Sequence, residues 1–461
     1  MAPKKYDVIV VGAGLTGLTT AFYLIKNGFK TAVIEKEPRT GGVIRTINKD
    51  GFIFETGPNT GVYSSAELVR LFDDLQGKVT PEFANHKAKQ RWIWKGGSWH
   101  ALPSGLGAAI KTPLFSTKDK FRILLEPFRK RGNDPYESLA GLVKRRMGKS
   151  YLDYAVDPFI SGVYAGDPDK LITQFALPKL YRLEQNYGSF IKGSIKKRKE
   201  PKDDLTKRAT REVFSVKGGL QALTDALADS IGNENIFVDS SGLTISKEND
   251  AFTAHFTMEK QKTILQSPEI ITTISANELT ERFDFIDNDT LQPVTDLPYA
   301  RVIEVVAAYK AWKGIPLNAF GGLIPSKEKR KALGILFTSS IFSGRTPEGG
   351  AILSVFMGGM RHPETIDLSD EEIREIALNE IKETLQTGDE MPDHLKIFRY
   401  KHAIPQYDIT SEKRLKTIEA LEKKHPGLTL AGNIRDGIGM ADRVKQGYEL
   451  AQKVIFETSS H

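Results

Sequence analysis

Three glycines, Gly12, Gly14 and Gly17, follow an apolar run at residues 8–11. They open an amphipathic stretch that leads to a second apolar run ending at Glu35. This spacing is that of a βαβ dinucleotide site with its acidic partner in place. Gly12 permits the tight turn, Gly14 lets backbone approach a pyrophosphate, and Gly17 lets helix and strand pack closely. Ala13, Leu15 and Thr16 belong to the same turn, whose helix N-terminus would face phosphate with partial positive charge. Glu35 and Lys36 are both expected at the cofactor, with Glu35 placed to bind a ribose hydroxyl pair.

The fingerprint alone does not separate FAD from NAD, and the following residues favour FAD. Gly41 and Gly42, after the second strand, resemble the extension found in flavoproteins of the amine-oxidase and phytoene-desaturase superfamily. They would let backbone pass close to a second part of a long cofactor, with Arg45 offsetting its charge. Gly57, Pro58, Asn59 and Thr60 break an alternating strand (Phe52, Phe54), a break that can expose backbone donors to a bound ring. Near the C-terminus, a short apolar strand at 428–431 ends at Gly432 and Asn433. A glycine-rich loop through Gly437, Ile438, Gly439 and Met440 then opens a helix with Val444, Tyr448 and Ala451 at apolar spacing. This second strand–loop–helix junction can aim amides at an anion or a flavin carbonyl. Residues 216–245, with Gly242, read as helix, turn and strand returning to the same domain, and a strand at 270–274 completes it. Both chain ends therefore build one nucleotide site, and the middle is inserted into it.

Composition limits the alternatives. The 461 residues are 40% hydrophobic and 27% charged, enough for more than one domain. No apolar run reaches 18 residues, and the N-terminus enters the first strand without a signal-peptide pattern. A cytoplasmic location is expected. With no cysteine, disulfides, thiol redox chemistry and Cys-based zinc or iron–sulfur sites are excluded. The eight histidines form no HxH or HExxH pattern, so no metal site is expected. The net charge of +7 favours an anionic ligand or a lipid surface. No nucleic-acid motif is present.

Six further stretches carry a resemblance that spans nearly the whole chain. They are FETGPNT (54–60), RWIWKGGSWHALPSG (91–105), DPFISGVYAGDPDKL (157–171), AFGGLIP (319–325), GILFTSSIFSGRTPEGGAILSVFMGG (334–359) and HAIPQY (402–407). Together they resemble the oxygen-dependent protoporphyrinogen oxidase family, which includes the coproporphyrinogen III oxidases of the coproheme route. SGVYAGDP is the most specific stretch, because general flavin amine oxidases lack it.

The resemblance implies an α/β protein of three parts. A Rossmann-like FAD domain would comprise 1–80, 212–284 and 421–461. A mixed-sheet substrate domain would comprise 81–114 and 285–420. An inserted, mainly helical, membrane-docking domain would comprise 115–211. Strand patterns at 301–307 and 351–356 fit this division, as does a helix at 370–386 with Ser369 at its start and acids in its first turn. The basic tract 192–211, with nine Lys/Arg against three Asp/Glu, reads as a solvated loop or as a contact for anionic lipid or a neighbouring haem-pathway enzyme.

The implied substrate is a porphyrinogen oxidised at the flavin, with O2 as final acceptor. No catalytic side chain is required, since the cofactor carries the chemistry. The resemblance gives Arg91 to a substrate propionate, as a bidentate guanidinium contact. It gives Phe320 and Leu323 to the macrocycle face and Ala165 and Gly166 to close backbone approach. Phe356 and Met357 are expected to face the same cavity. His402 reads as structural or cofactor-adjacent. An amine or amino-acid oxidase on the same fold, and a non-enzymatic flavoprotein, are the competing readings. GPNT leans mildly towards a protoporphyrinogen over a coproporphyrinogen.

Overall fold

The computed structural model describes residues 2–459. The apolar run Val8–Val11 is fully buried and forms the middle of a five-stranded parallel sheet. The strand order is Ile236–Phe237, Thr31–Ile34, Val8–Val11, Glu269–Thr272, Leu428–Leu430. Val8–Val11, near the N-terminus, and Leu428–Leu430, the last strand of the chain, thus share one sheet. The helix Leu15–Lys26 lies on it and crosses the C-terminal helix Met440–Ser459. That crossing is close because Gly447 has no side chain: a Cβ there would come within 2.7 Å of the Thr16 carbonyl. Tyr23 and Tyr448 then meet edge to face at 4.8 Å. Strands and helices from both ends of the chain therefore pack against one another.

The other large unit is a seven-stranded mixed sheet. Its order is His394–Pro405, Tyr299–Tyr309, Ala351–Gly358, Ala332–Leu336, Gly321–Leu323, Arg91–Lys95, Ser98–Ala101. All pairs are antiparallel except Gly321–Leu323 with Arg91–Lys95. Alternate residues point to opposite faces. On one face Ile303, Val305, Val355, Met357 and Trp94 pack against Ile373, Ala377 and Ile381 of the helix Asp370–Leu385. That helix starts with a capping box between Ser369 and Glu372, which satisfies two otherwise orphaned amides. The opposite face looks towards the nucleotide domain.

Two boundaries differ from the sequence-based division. The helices Asn288–Thr295 and Ser411–Lys424 fall within 285–420, yet Leu291, Val294, Ile418 and Leu421 join the core beneath the parallel sheet. Their apolar residues meet Leu428 and Leu430, so burial ties them to the nucleotide domain. The basic tract 192–211 is also not a plain loop. The helix Phe190–Arg198 is capped by the Ser189 hydroxyl, which accepts from Lys192 N–H. The helix Asp204–Arg208 is capped by Asp203. Local capping decided this, and Leu205 and Ala209 anchor the second helix on the nucleotide-domain core.

Residues 115–198 are otherwise helical around Leu139, Leu142, Val143 and Ile160. Their polar centre is Arg146, fully buried, with Glu126 at 2.5 Å and Glu184 at 2.6 Å.

Candidate functional site

The glycine turn has the shape its sequence implies. Gly12 has φ +102°, and a Cβ on it would approach the Thr273 hydroxyl. A Cβ on Gly17 would collide with the Gly12 carbonyl oxygen, so only glycine lets helix meet strand here. Beside Gly14 there is open space: a Cβ would meet nothing within 4 Å. The helix Leu15–Lys26 begins with no side-chain cap and no acid in its first turn. Its first amides are therefore free for an anion. Glu35 is buried at the end of its strand; one carboxylate oxygen accepts from Ala13 N–H (2.7 Å), the other from Glu37 N–H (2.9 Å). Each oxygen keeps a lone pair for a ribose hydroxyl. Gly242 lies two residues beyond Ser240, whose N–H binds the Glu35 carbonyl, with open space beside it. Lys36 turns away and pairs with Glu278 at 2.9 Å, which corrects its assignment to the cofactor.

The second glycine pair closes on the first turn. Gly41 N–H donates to the Ala13 carbonyl, and a Cβ on Gly42 would lie 3.2 Å from Gly14 Cα. Arg39 shapes this loop by donating to the carbonyls of Thr40, Gly42 and Ile44. Arg45 is exposed on the strand Arg45–Lys49.

The C-terminal loop is held from behind by its carbonyls. The Tyr407 hydroxyl donates to the carbonyls of Asn433 (3.1 Å) and Gly437 (3.3 Å). Arg414 Nε donates to Ile434 and Arg443 to Arg435. Both arginines are buried with no ion pair to a carboxylate among the described residues, and burial lowers their pKa values, partly offset by Asp408 for Arg414 and by Asp436 and Asp442 for Arg443. Asn433 is fixed by the Tyr299 hydroxyl at 3.1 Å, and Gly432 N–H by Gln446. His402 is exposed and meets only the edge of Tyr299. Among the described residues, the backbone N–H groups of Asn433, Ile434 and residues 436–438 find no acceptor in the protein. Such a row of free donors next to a helix N-terminus fits an electron-rich ligand. Ile438 touches the helical unit's core, and Met440 begins the helix.

The inner face of the seven-stranded sheet carries the rest. Register puts Arg91, Leu323, Gly334, Phe356 and Glu304 across adjacent strands on this face. The guanidinium of Arg91 lies 5.1 Å from the Phe320 ring centre. It has no carboxylate partner among the described residues, and desolvation lowers its pKa although its side chain reaches solvent. Three segments dock along this face in order. Phe52 and Phe54 cover Val306, Ala308 and Ile352. The turn Gly57–Pro58–Asn59–Thr60 follows at Glu304 and Ser354. Ala165 then packs with Val302 and Phe356.

Ala165 has φ +46°, rare for a residue with a side chain. The conformation is held by its carbonyl, which accepts from Met360 N–H at 2.8 Å. Gly166 sits where a Cβ would crowd Gln406. Leu323 fills the gap left by Gly162. Met357 corrects an expectation: it lies in the outer core with Ile303 and Val355, because neighbouring strand residues cannot face one cavity. Sequence reasoning missed Glu304, Tyr407, Arg414 and Arg443. Glu304 alone had a visible signal, as one acid inside the apolar strand ARVIEVVAAY.

Comparison with known proteins agrees with this geometry. A family model described as flavin containing amine oxidoreductase matches residues 15–455. The chain belongs to that family. It is an FAD-dependent oxidoreductase, and its relatives include porphyrinogen oxidases. It is 31% identical to the mitochondrial protoporphyrinogen oxidase of Nicotiana tabacum, covering 97% of this chain and 94% of that one. It is 25% identical to the coproporphyrinogen III oxidase of Bacillus subtilis, covering 97% of each. The crystal structure of a putative protoporphyrinogen oxidase from Exiguobacterium sp. 255-15 matches the fold with a TM-score of 0.81 at 20% identity, over 99% of this chain and all of that one. The residues present fit FAD: the open Gly14 turn and uncapped helix suit its pyrophosphate, Glu35 its ribose, and the free amides of Asn433, Ile434 and 436–438 its ring system.

Proposed function

We propose that this protein oxidises protoporphyrinogen IX to protoporphyrin IX, with O2 as the terminal acceptor and H2O2 as the by-product. The observation that carries the reading is the inner sheet face, where Arg91 on Phe320, Leu323 and Phe356 lie in line with the Ala165 loop and the Gly57–Asn59 turn. FAD, when bound, would supply the two-electron acceptor for oxidation at a saturated bridge carbon of the substrate. The chain's own task is to orient and desolvate. Arg91 is suited to a bidentate propionate contact, since it is cationic, unpaired and prepositioned on an aromatic ring. Apolar Phe320, Leu323 and Phe356 suit a macrocycle, and the strained Ala165–Gly166 backbone suits close approach. No acid–base side chain need act, because six electrons leave in successive cycles and the pyrrole nitrogens release protons.

Coproporphyrinogen III oxidation is the second reading. It is favoured by the named Bacillus relative and by a cavity of about 180 Å³ beside Ala165 and Gly166, with Lys329, Lys331 and His362 in its lining. More carboxylates on the substrate would suit more cations. Comparative turnover of the two porphyrinogens by the FAD-loaded protein in air, read as porphyrin fluorescence, decides between them. Faster turnover of the four-propionate substrate would overturn the first reading.

The reading extends to peripheral membrane docking. Phe121 (67% exposed), Leu124, Leu125 and Phe128 (81% exposed) form an apolar surface on the helical unit. Lys192 Nζ lies 5.3 Å from the Phe128 ring centre, and the basic helix Phe190–Arg198 flanks it. Apolar side chains rimmed by lysines suit an anionic bilayer surface. No helix among the described residues is long and apolar enough to cross a membrane. A cytoplasmic membrane face and contact with a neighbouring haem-pathway enzyme are part of this proposal.

A further inference from the structure

Glu304 is fully buried in the middle of the strand Tyr299–Tyr309, and all its near partners are donors. Oε2 accepts from Gly57 N–H at 2.9 Å, and Oε1 from Asn59 Nδ2 at 2.7 Å. Asn59 Nδ2 also donates to the Gly57 carbonyl at 3.1 Å. The remaining amide oxygen of Asn59 accepts from the hydroxyls of Ser354 (3.2 Å) and Thr338 (3.5 Å). The amide orientation of Asn59 is therefore set by a carboxylate on one side and two hydroxyls on the other.

We infer that Glu304 is a positioning residue, which as a carboxylate holds the Gly57–Asn59 turn against the flavin site and fixes the direction of the Asn59 amide. The inference rests on the FAD site described above. Its activity readout alone depends on the porphyrinogen reading.

The arrangement has a proton-dependent alternative. Protonated Glu304 would carry an O–H that needs an acceptor; neither Gly57 N–H nor Asn59 Nδ2 can provide one, whereas the Ser354 hydroxyl oxygen, also bonded to Glu304, can. The Asn59 oxygen can too, if its amide turns over and its NH2 donates to Ser354 and Thr338, whose hydroxyls rotate to accept. Burial pushes the Glu304 carboxyl up to about 7, while its bonds to Asn59, Gly57 and Ser354 pull the other way. Other titratable groups facing it are few. Glu55, on the strand Phe52–Thr56, raises it further and is itself 3.9 Å from Arg345. Tyr400 faces it from the neighbouring strand and is pushed up to about 12 by burial and by Glu304. On the strand Ala351–Gly358 its register partner is Phe356, and Ser354 bonds to it through its hydroxyl. The direction of the Asn59 amide is therefore coupled to whether Glu304 holds a proton.

The test uses purified FAD-loaded protein without substrate. The flavin visible spectrum is titrated from pH 5.5 to 8.5 for wild type, Glu304→Gln and Glu304→Asp. A transition near neutral pH is expected in wild type, absent in Glu304→Gln and restored, at shifted pH, in Glu304→Asp. With porphyrinogen, Glu304→Gln should lower kcat roughly tenfold or more and change KM little. A wild-type transition surviving in Glu304→Gln, or the absence of any transition in wild type, overturns the inference. Should Glu304→Gln fail to retain FAD, Ser354→Ala and Thr338→Val address the other side of the amide and should shift the same transition. An unmoved transition in both would also overturn it. A spectral transition in a protein that oxidises neither porphyrinogen would sink the proposed function and leave this inference standing.

Discussion

The two faces of the seven-stranded sheet are made by alternate residues of the same strands, yet they have different tasks. The outer face, with Trp94, Ile303, Val355 and Met357 under the helix Asp370–Leu385, is a continuous apolar core. The inner face carries Arg91, Glu304, Ser354 and Phe356, and is covered by loops and turns from the other two units. Period-two alternation thus lets one strand be stabilising and functional at once. A change at 357 should be read in stability, and one at 356 in binding.

The strongest way to break this contrast is on the outer face. Met357→Ala leaves a cavity in a fully buried site and should cost about 2–5 kcal/mol of stability, seen as a lowered midpoint in denaturant, with KM unchanged in the folded fraction. An effect on KM without loss of stability would mean that the faces are not separate.

Glu304 lets the contrast be tested by pH. Its folded value is raised from 4.5 to about 7, so the acid form is favoured by folding. Stability from this group is full below the unfolded value and is lost as pH rises through about 7, by roughly 3 kcal/mol in all. Denaturation between pH 5 and 8 should show this decline in wild type and a flatter profile in Glu304→Gln. The same slope in both would reject the assignment.

Arg91→Ala should raise KM by about 30-fold, equivalent to roughly 2 kcal/mol, and leave FAD content unchanged. Phe356→Ala should have a smaller effect on KM, about tenfold, and little on midpoint. Loss of FAD in either variant would mean that the face is misassigned. The smallest effect is expected away from the sheet. Phe128→Ser should weaken binding to anionic vesicles several-fold, measured by flotation, without altering turnover in detergent.

Much of the nucleotide half was legible in the sequence because backbone geometry dictates residue type. Gly17 must be glycine where the helix meets the Gly12 carbonyl, and Gly14 must be bare where a ligand enters. The helix at 370–386 was legible from its Ser369 cap and acidic first turn. The inner sheet face was less legible. Phe356 and Met357 look alike in composition, and only strand phase separates them. Arg414 and Arg443 act through backbone carbonyls of a distant loop, a relation that chain order does not show. Lys36 looked like a charge near the cofactor, and Glu278, 242 residues away in sequence, claimed it. The helices at 288–295 and 411–424 carry no local mark of which core buries them.

The central claim is that the inner face presents a porphyrinogen to FAD. Its most direct test is anaerobic mixing of the FAD-loaded protein with protoporphyrinogen IX, followed at the flavin absorbance. Rapid bleaching is predicted, slowed in Arg91→Ala at subsaturating substrate, with the yellow colour returning on admission of air as porphyrin fluorescence appears. A fully FAD-loaded wild-type protein whose absorbance is unchanged by either protoporphyrinogen or coproporphyrinogen would contradict the account.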